Sequence, residues 1–450
     1  MADVLKYIKE NKFFVISVFA YIVITLPFML SHIPWYDEAH AYMQAYFMNI
    51  HNWTSIVSAE GHPLLWFLLI MPFAKFNWHY PYPMLIINYI FCIGSIIVLW
   101  TMSPFNKWIK LVITFSSMYI IYFPVVARGY SLGILLLFLL SALYKNKLQH
   151  PILYPVLVAL TLNLNIICGI GASWFGLIFF IDLLKSSLNT KTKVISTSIL
   201  VLSTLLFIFP FLGGFGTAAC NVHESAAIKL GNLKHFFTTP ILRLILYVGS
   251  LIYVFAKTKL CNEQTLIIYT NILLFSIFAF FYPGGPHHFI FVFIYLITYL
   301  WIYIDKFPEV SNTPCKDIKP DILSLMLMIL LLMPLQSDLK DIYYGNKMHT
   351  KELATILNSS PQYRNSRLFL YEREALIIPY LKDDIELYSA CTTKALGWDM
   401  YDTHDCVSSE ELKAALYDKN KNTYLFVAPS IHSKNFDNEF KILEFKSNIN

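Results

Sequence analysis

The chain has 450 residues, of which 56% are hydrophobic and 14% charged, with a net charge of +5. That balance excludes an ordinary water-soluble domain, and so small a net charge gives no nucleic-acid signal. The seven cysteines form no CxxC pair and show no metal-ligand spacing, so they encode no zinc or redox motif.

Apolar runs long enough to cross a bilayer, about 18–20 residues each, recur from Phe13 to about Leu335. The first, Phe13 to Leu30, follows Lys6, Lys9 and Lys12. It has no small-residue cleavage site after it, so a retained helix is predicted rather than a signal peptide. Next comes "WYDEAHAY", Trp35 to Tyr42, which sets two adjacent carboxylates at a membrane boundary. Asp37 can cap a helix running from Glu38 to about Met48, with Trp35 and Tyr36 as interfacial anchors. It can also act as a general base on an acceptor hydroxyl, and the two roles are compatible. "EGHPLLWF", Glu60 to Phe67, follows. Pro63 pushes His62 into an extended conformation. From there His62 could ligate a metal, bond a phosphate, or serve as an ordinary interfacial histidine.

Further spans are predicted near 83–100, 109–125, 129–144, 151–166, 168–184, 194–212, 240–256, 265–282, 286–304 and 321–335. The segment 62–76 is apolar but short, and it carries Pro63 and Pro72. Charge decides its status, because cytoplasmic loops concentrate Lys and Arg. If 62–76 does not cross, the N-terminal lysines share one side with Lys107, Lys110, Lys145, Lys147, Lys185, Lys191, Lys193, Lys257, Lys259, Lys306, Lys316 and Lys319. The opposite side then holds only Lys75, Arg128, Lys229, Lys234 and Arg243. If it crosses, the bias reverses. The sequence therefore predicts eleven spans, with 62–76 lying along or dipping into the outer face. The N-terminus is expected to be cytoplasmic and the C-terminus outside.

Three long segments share the predicted outer face: 31–82, 213–239 and the tail from about Gln336. Arg128, in "VVARGYSLGILLLFLL", is the only arginine in the first half and sits at the outer end of a span. A guanidinium there suits phosphate oxygens, although it can also snorkel from the apolar layer. Tyr130 lies beside it as a further candidate substrate contact. "YPGGPHHFIFVF" breaks the backbone before a span and carries His287 and His288. With His223 and Glu224 of "NVHES" these could complete a phosphate site or hold a divalent metal. The tail shifts to polar composition. "TKELATILNSS" and "SEELKAALYDK" read as helices, the second opened by a Ser-x-x-Glu cap, and "SRLFLY" and "NTYLFVAP" read as strands. A small α/β domain over 336–450 is predicted, where Cys391 and Cys406 could pair in an oxidising compartment. Cys92 and Cys168 read as core residues.

One apolar helix, "WYDEAHAY", "EGHPLLWFLL", a span, a basic loop and "ARGYSLGILLLFLLSAL" follow in order over about residues 10–145. This order resembles the GT-C superfamily of membrane glycosyltransferases, and within it the bacterial branch related to protein O-mannosyltransferases and aminoarabinose transferases. The resemblance implies that an acidic residue of the first outer loop is the catalytic base, here Asp37 with Glu38 as support or substitute. It implies a sugar donor on a polyprenyl phosphate or diphosphate, and juxtamembrane helices at 38–50 and 62–76. It also implies that Arg128 meets the lipid phosphate. His62, Glu60, Tyr130, His287 and His288 stand beside it as candidate substrate or phosphate contacts on the strength of the residues themselves. The acceptor would be a lipid, a glycan or a protein at the outer face of the cell (inner) membrane. The chain departs from the family pattern at His62-Pro63-Leu64, where relatives commonly carry His-Pro-Pro. It departs again at Pro286-His287-His288, where many carry Arg-Tyr or Arg-His. Two other classes remain open on the sequence alone: a lipid-linked sugar transporter, and a non-catalytic scaffold of the cell envelope.

Overall fold

The structure, a computed structural model, describes residues 11–34, 36–60, 62–76, 79–212, 263–281, 286–306, 350–370, 377–381, 384–390, 407–417, 421–427 and 441–445, with a few single positions between them. These residues are mainly helical. Helix α1 spans Lys12–Ser31, α2 Tyr36–Phe47, α3 Trp53–Glu60, α4 Leu65–Lys75 and α5 Tyr82–Met102. Then come α6 (Lys107–Thr114), α7 (Tyr130–Leu143), α8 (Leu153–Leu162), α9 (Ile166–Lys185), α10 (Thr190–Ile208), α11 (Gln264–Ser276) and α12 (Phe291–Lys306). Four of them, α1, α5, α9 and α10, are long and apolar enough to cross a membrane, and α4, α7, α8 and α11 are shorter apolar helices. The expected spans 240–256 and 321–335 fall outside the described residues, apart from isolated positions in the first.

Side-chain contacts fix the direction of α1 against α5. Phe14 meets Trp100, Tyr21 bonds Cys92 and Thr25 bonds Tyr89. Helix α1 therefore runs antiparallel to α5, and residues 32–81 leave and re-enter the bundle at the same end. The expectation that 62–76 makes no net crossing agrees with this path. Asparagines start several helices where the first N–H groups need acceptors. Asn106 accepts from Trp108 and Ile109, Asn165 from Ile167, and Asn189 from Thr192.

The two ends of the bundle differ in charge. One end collects lysines: Lys110 bonds the Trp100 carbonyl, Lys147 pairs with Asp182 at 2.8 Å, and Lys306 pairs with Glu263 at 2.6 Å. Lys193 caps the end of α9 through the Ser186 carbonyl. The other end collects Asp37, Glu38, Glu60, Arg128, Asn163 and His288. We call these the lysine end and the carboxylate end.

The expected span 109–125 is not one helix. Helix α6 ends at Thr114, and after Ser116 and Ser117 the chain continues as a π-helical turn, Met118–Tyr122. Both serines are buried, and Ser116 turns its hydroxyl onto the Ile113 carbonyl. The break frees carbonyls that polar side chains of other helices then satisfy. Tyr21 donates to Tyr119, and Asn88 and Ser131 both donate to Phe123. Farther along, α7 and α9 approach closely, since a Cβ on Gly133 would overlap the Cys168 sulfur.

The tail adds α13 (Thr350–Ser359) and α14 (Ser409–Leu416), with strands β1 (Arg367–Leu370), β2 (Glu386–Ser389), β3 (Thr423–Val427) and β4 (Lys441–Phe445). The sheet order is β2-β1-β3-β4, with β1 parallel to both neighbours and β4 antiparallel to β3. Helix α14 opens with the predicted capping box, Ser408 with Glu411. Cys391 and Cys406 lie outside the described residues.

Candidate active site

The site forms where the first loop folds back on the bundle. Helix α2 begins at Tyr36, so Asp37 is not its cap. Asp37 and Glu38 stand in the first turn instead, where the helix dipole favours negative charge. The adjacent carboxylates then diverge. Glu38 points inward and is fully buried. It bonds His32 at 2.7 Å and accepts from the Ala127 N–H at 2.6 Å. Both oxygens are thus engaged, and Glu38 pins α2 to the turn that precedes α7. Neither Glu38 oxygen is left without a hydrogen bond.

Asp37 faces outward. By surface area it is exposed, yet the surrounding protein is dense enough that burial dominates its ionisation and raises its carboxyl pKa. Both hold for a carboxylate whose own atoms water reaches while densely packed protein lies close around it. Arg128 lowers the pKa in opposition, and Glu60 adds to the rise. Among the described residues no group hydrogen-bonds the Asp37 carboxylate.

Arg128 is buried and turned toward the protein. Its Nη1 donates to the main-chain carbonyl of Asp37 at 2.8 Å, and its Nη2 pairs with Glu60 at 2.5 Å. The other Glu60 oxygen meets His40 Nδ1 at 2.9 Å and Gln44 Nε2 at 3.3 Å. Burial alone would raise the Glu60 carboxyl, but His40 and Arg128 outweigh it and hold it well below the usual range. Both Glu60 oxygens are thus bonded within the protein. His40 and Gln44 were not among the sequence candidates. Their signal was local: they follow Asp37 by three and seven residues and share one face of α2.

His62 enters at the start of α4. Burial, then the nearby Arg128 charge, depress its pKa from 6.5 to about 4, against the pull of Glu60. It is neutral at physiological pH, so it offers a phosphate no charge. Its Nδ1 has no hydrogen-bond partner among the described residues. Helix α4 is fixed by Leu65 N–H donating to the Asn163 carbonyl and by Trp66 resting on Gly129. Gly129 has φ +77°, and an added Cβ would lie 3.3 Å from Trp66. Only glycine suits that left-handed turn. It sets Arg128 toward the first loop while Tyr130 bonds His288 at 2.8 Å.

The tail reaches this end as well. Tyr380 packs edge-on against Tyr80, with centroids 4.9 Å apart, and Tyr80 packs on Tyr42 at 4.5 Å. Asn358 of α13 holds the Tyr380 carbonyl.

Of the expected site residues, Asp37, Glu38, Glu60, His62 and Arg128 come together, and Tyr130 with His288 forms a second pair at the same end. His223, Glu224 and the side chain of His287 lie outside the described residues. Among the described residues no group of three or more His, Cys, Asp or Glu is placed to hold a metal. The Glu60 oxygens, the best donors present, are already taken by Arg128, His40 and Gln44. No protein-family model matches the chain, and a search of curated proteins finds no match.

Proposed function

We propose that the chain is an integral-membrane glycosyltransferase that moves a sugar from a polyprenyl-phosphate-linked donor to an acceptor hydroxyl. One observation carries the reading: among the described residues, Asp37, Glu38 and Glu60 gather at this end, and of these only Asp37 is open to solvent and unbonded. Its raised pKa makes it a stronger base than an ordinary aspartate. Asp37 takes the proton of the acceptor hydroxyl as that oxygen bonds the anomeric carbon. The bond from that carbon to the phosphate oxygen breaks, and the polyprenyl phosphate leaves with the electron pair. The cationic field of Arg128 stabilises the charge that develops on the leaving oxygen. Neutral His62 suits a sugar hydroxyl better than a phosphate.

The resemblance of "WYDEAHAY", "EGHPLLWFLL" and "ARGYSLG" to GT-C enzymes supports the same reading. So does the sorting of charge: read by the positive-inside rule, a lysine end in the cytoplasm and Asp37 outside is the favoured orientation. In this reading the chain crosses eleven times, and the tail forms an extracytoplasmic domain. Incubation of the purified protein with a panel of polyprenyl-phosphate sugars, following released polyprenyl phosphate, tests the activity. A reporter fused after Asn450 tests the topology: an external signal is expected, and a cytoplasmic one overturns the orientation.

A further inference from the structure

An arginine beside an aspartate normally pairs with its carboxylate, and bidentate pairs of this kind are strong. Such a pair would cost a general base both its free lone pairs and its basicity. At the carboxylate end that pairing does not form. Arg128 touches Asp37 only at the main-chain carbonyl, 2.8 Å from Nη1. Its Nη2 goes to Glu60.

We propose that Glu60 is a positioning residue that holds the Arg128 charge off the Asp37 carboxylate, leaving that carboxylate unpaired and free to act as a base. This rests on the reading of Asp37 as the catalytic base.

The groups around Asp37 are arranged consistently with this role. On its own helix, His40 and Gln44 fasten Glu60 from one side. Arg128, from the turn before α7, fastens Glu60 from the other. His62, at the start of α4, is neutral at physiological pH and so leaves Arg128 and His40 as the groups that hold Glu60. Glu38, the remaining carboxylate, is saturated by His32 and the Ala127 N–H, so it does not compete for Arg128. Glu60 ranks ahead of Asp37 among the charges acting on Arg128. Each bond that holds Glu60 therefore also fixes where the arginine points.

The test reads the ionisation of Asp37 directly and needs no substrate. The detergent-purified full chain is treated with a carbodiimide and glycine ethyl ester across a pH series. Labelling of Asp37 is resolved from Glu38 by fragmentation and normalised to exposed Glu410. In Glu60→Gln, Arg128 is released onto Asp37, and the labelling midpoint falls by about one pH unit or more, tenfold in the proton equilibrium. A midpoint that stays or rises overturns the proposal. The variant Glu60→Gln/Arg128→Met removes both charges and serves as an independent arm should the single variant not fold. Because Glu60 offsets much, though not all, of the Arg128 charge felt at Asp37, the midpoint is expected to rise by no more than about half a unit from the parent. A rise of about one unit or more would mean that Arg128 is the direct counter-ion of Asp37, and would overturn the proposal. A failed turnover assay with an intact midpoint shift would remove the glycosyltransferase reading and leave the charge arrangement standing.

Discussion

Arg128 donates to the main-chain carbonyl of Asp37 at 2.8 Å, and the Asp37 carboxylate accepts no hydrogen bond among the described residues. One residue is thus gripped by its backbone and free at its side chain. The arrangement fixes where the carboxylate sits without consuming it.

Removing the grip is expected to be costly. Arg128→Met leaves Glu60 buried without its cation, a change worth about 3–5 kcal/mol when one partner of a buried pair is lost. Arg128→Lys keeps the charge and loses the fork that spans two acceptors, so a smaller loss is expected. Thermal unfolding in detergent should rank the parent above Arg128→Lys and Arg128→Met lowest.

His62 predicts a slope in stability with pH. Its pKa falls from 6.5 to about 4 on folding. Between those values the unfolded chain binds the proton and the folded chain does not, so stability rises with pH through the window. The penalty is absent above pH 6.5 and grows to roughly 3 kcal/mol by pH 4 and below. Denaturant unfolding at pH 4.5 and pH 7 should show a smaller difference for His62→Gln than for the parent.

The pH dependence of turnover follows from Asp37. Its carboxyl pKa is raised above 3.8, and only the ionised form accepts a proton. Activity should therefore be present above the raised pKa and fall as pH drops through it. A profile of kcat/KM against pH should place the acidic limb above the ordinary aspartate value.

Much of the helical pattern was legible because apolar length alone encodes it. Helices α1, α5 and α9 fall close to their expected runs, and the tail helix α14 was marked by its Ser408 and Glu411 capping box. The break at Ser116–Ser117 was not legible. Its flanks are as apolar as a continuous span, and the acceptors that make it tolerable come from Tyr21, Asn88 and Ser131 on other helices. The site divides in the same way. Asp37 could be picked out by its position at the boundary. The inward fate of Glu38 depends on Ala127, 89 residues away, and no local pattern carries that information. The same holds for Arg128, whose expected outward reach gives way to Glu60.

The tail should be anchored through Tyr380. Its edge-on contact with Tyr80 joins residues from opposite ends of the sequence, and such an aromatic pair contributes about 0.5–1.5 kcal/mol beyond its buried area. Tyr380→Ala is expected to speed release of the tail in limited proteolysis, and Tyr380→Phe, which keeps the ring, should behave like the parent.

The most direct measurement compares Asp37→Asn with the parent for release of polyprenyl phosphate from a donor that the parent turns over. Asparagine keeps the size and the main-chain carbonyl that Arg128 grips, but it cannot take a proton. A loss of about 100-fold or more in kcat is expected, the scale of general-base catalysis, with little change in unfolding temperature. Undiminished turnover in Asp37→Asn would contradict the account.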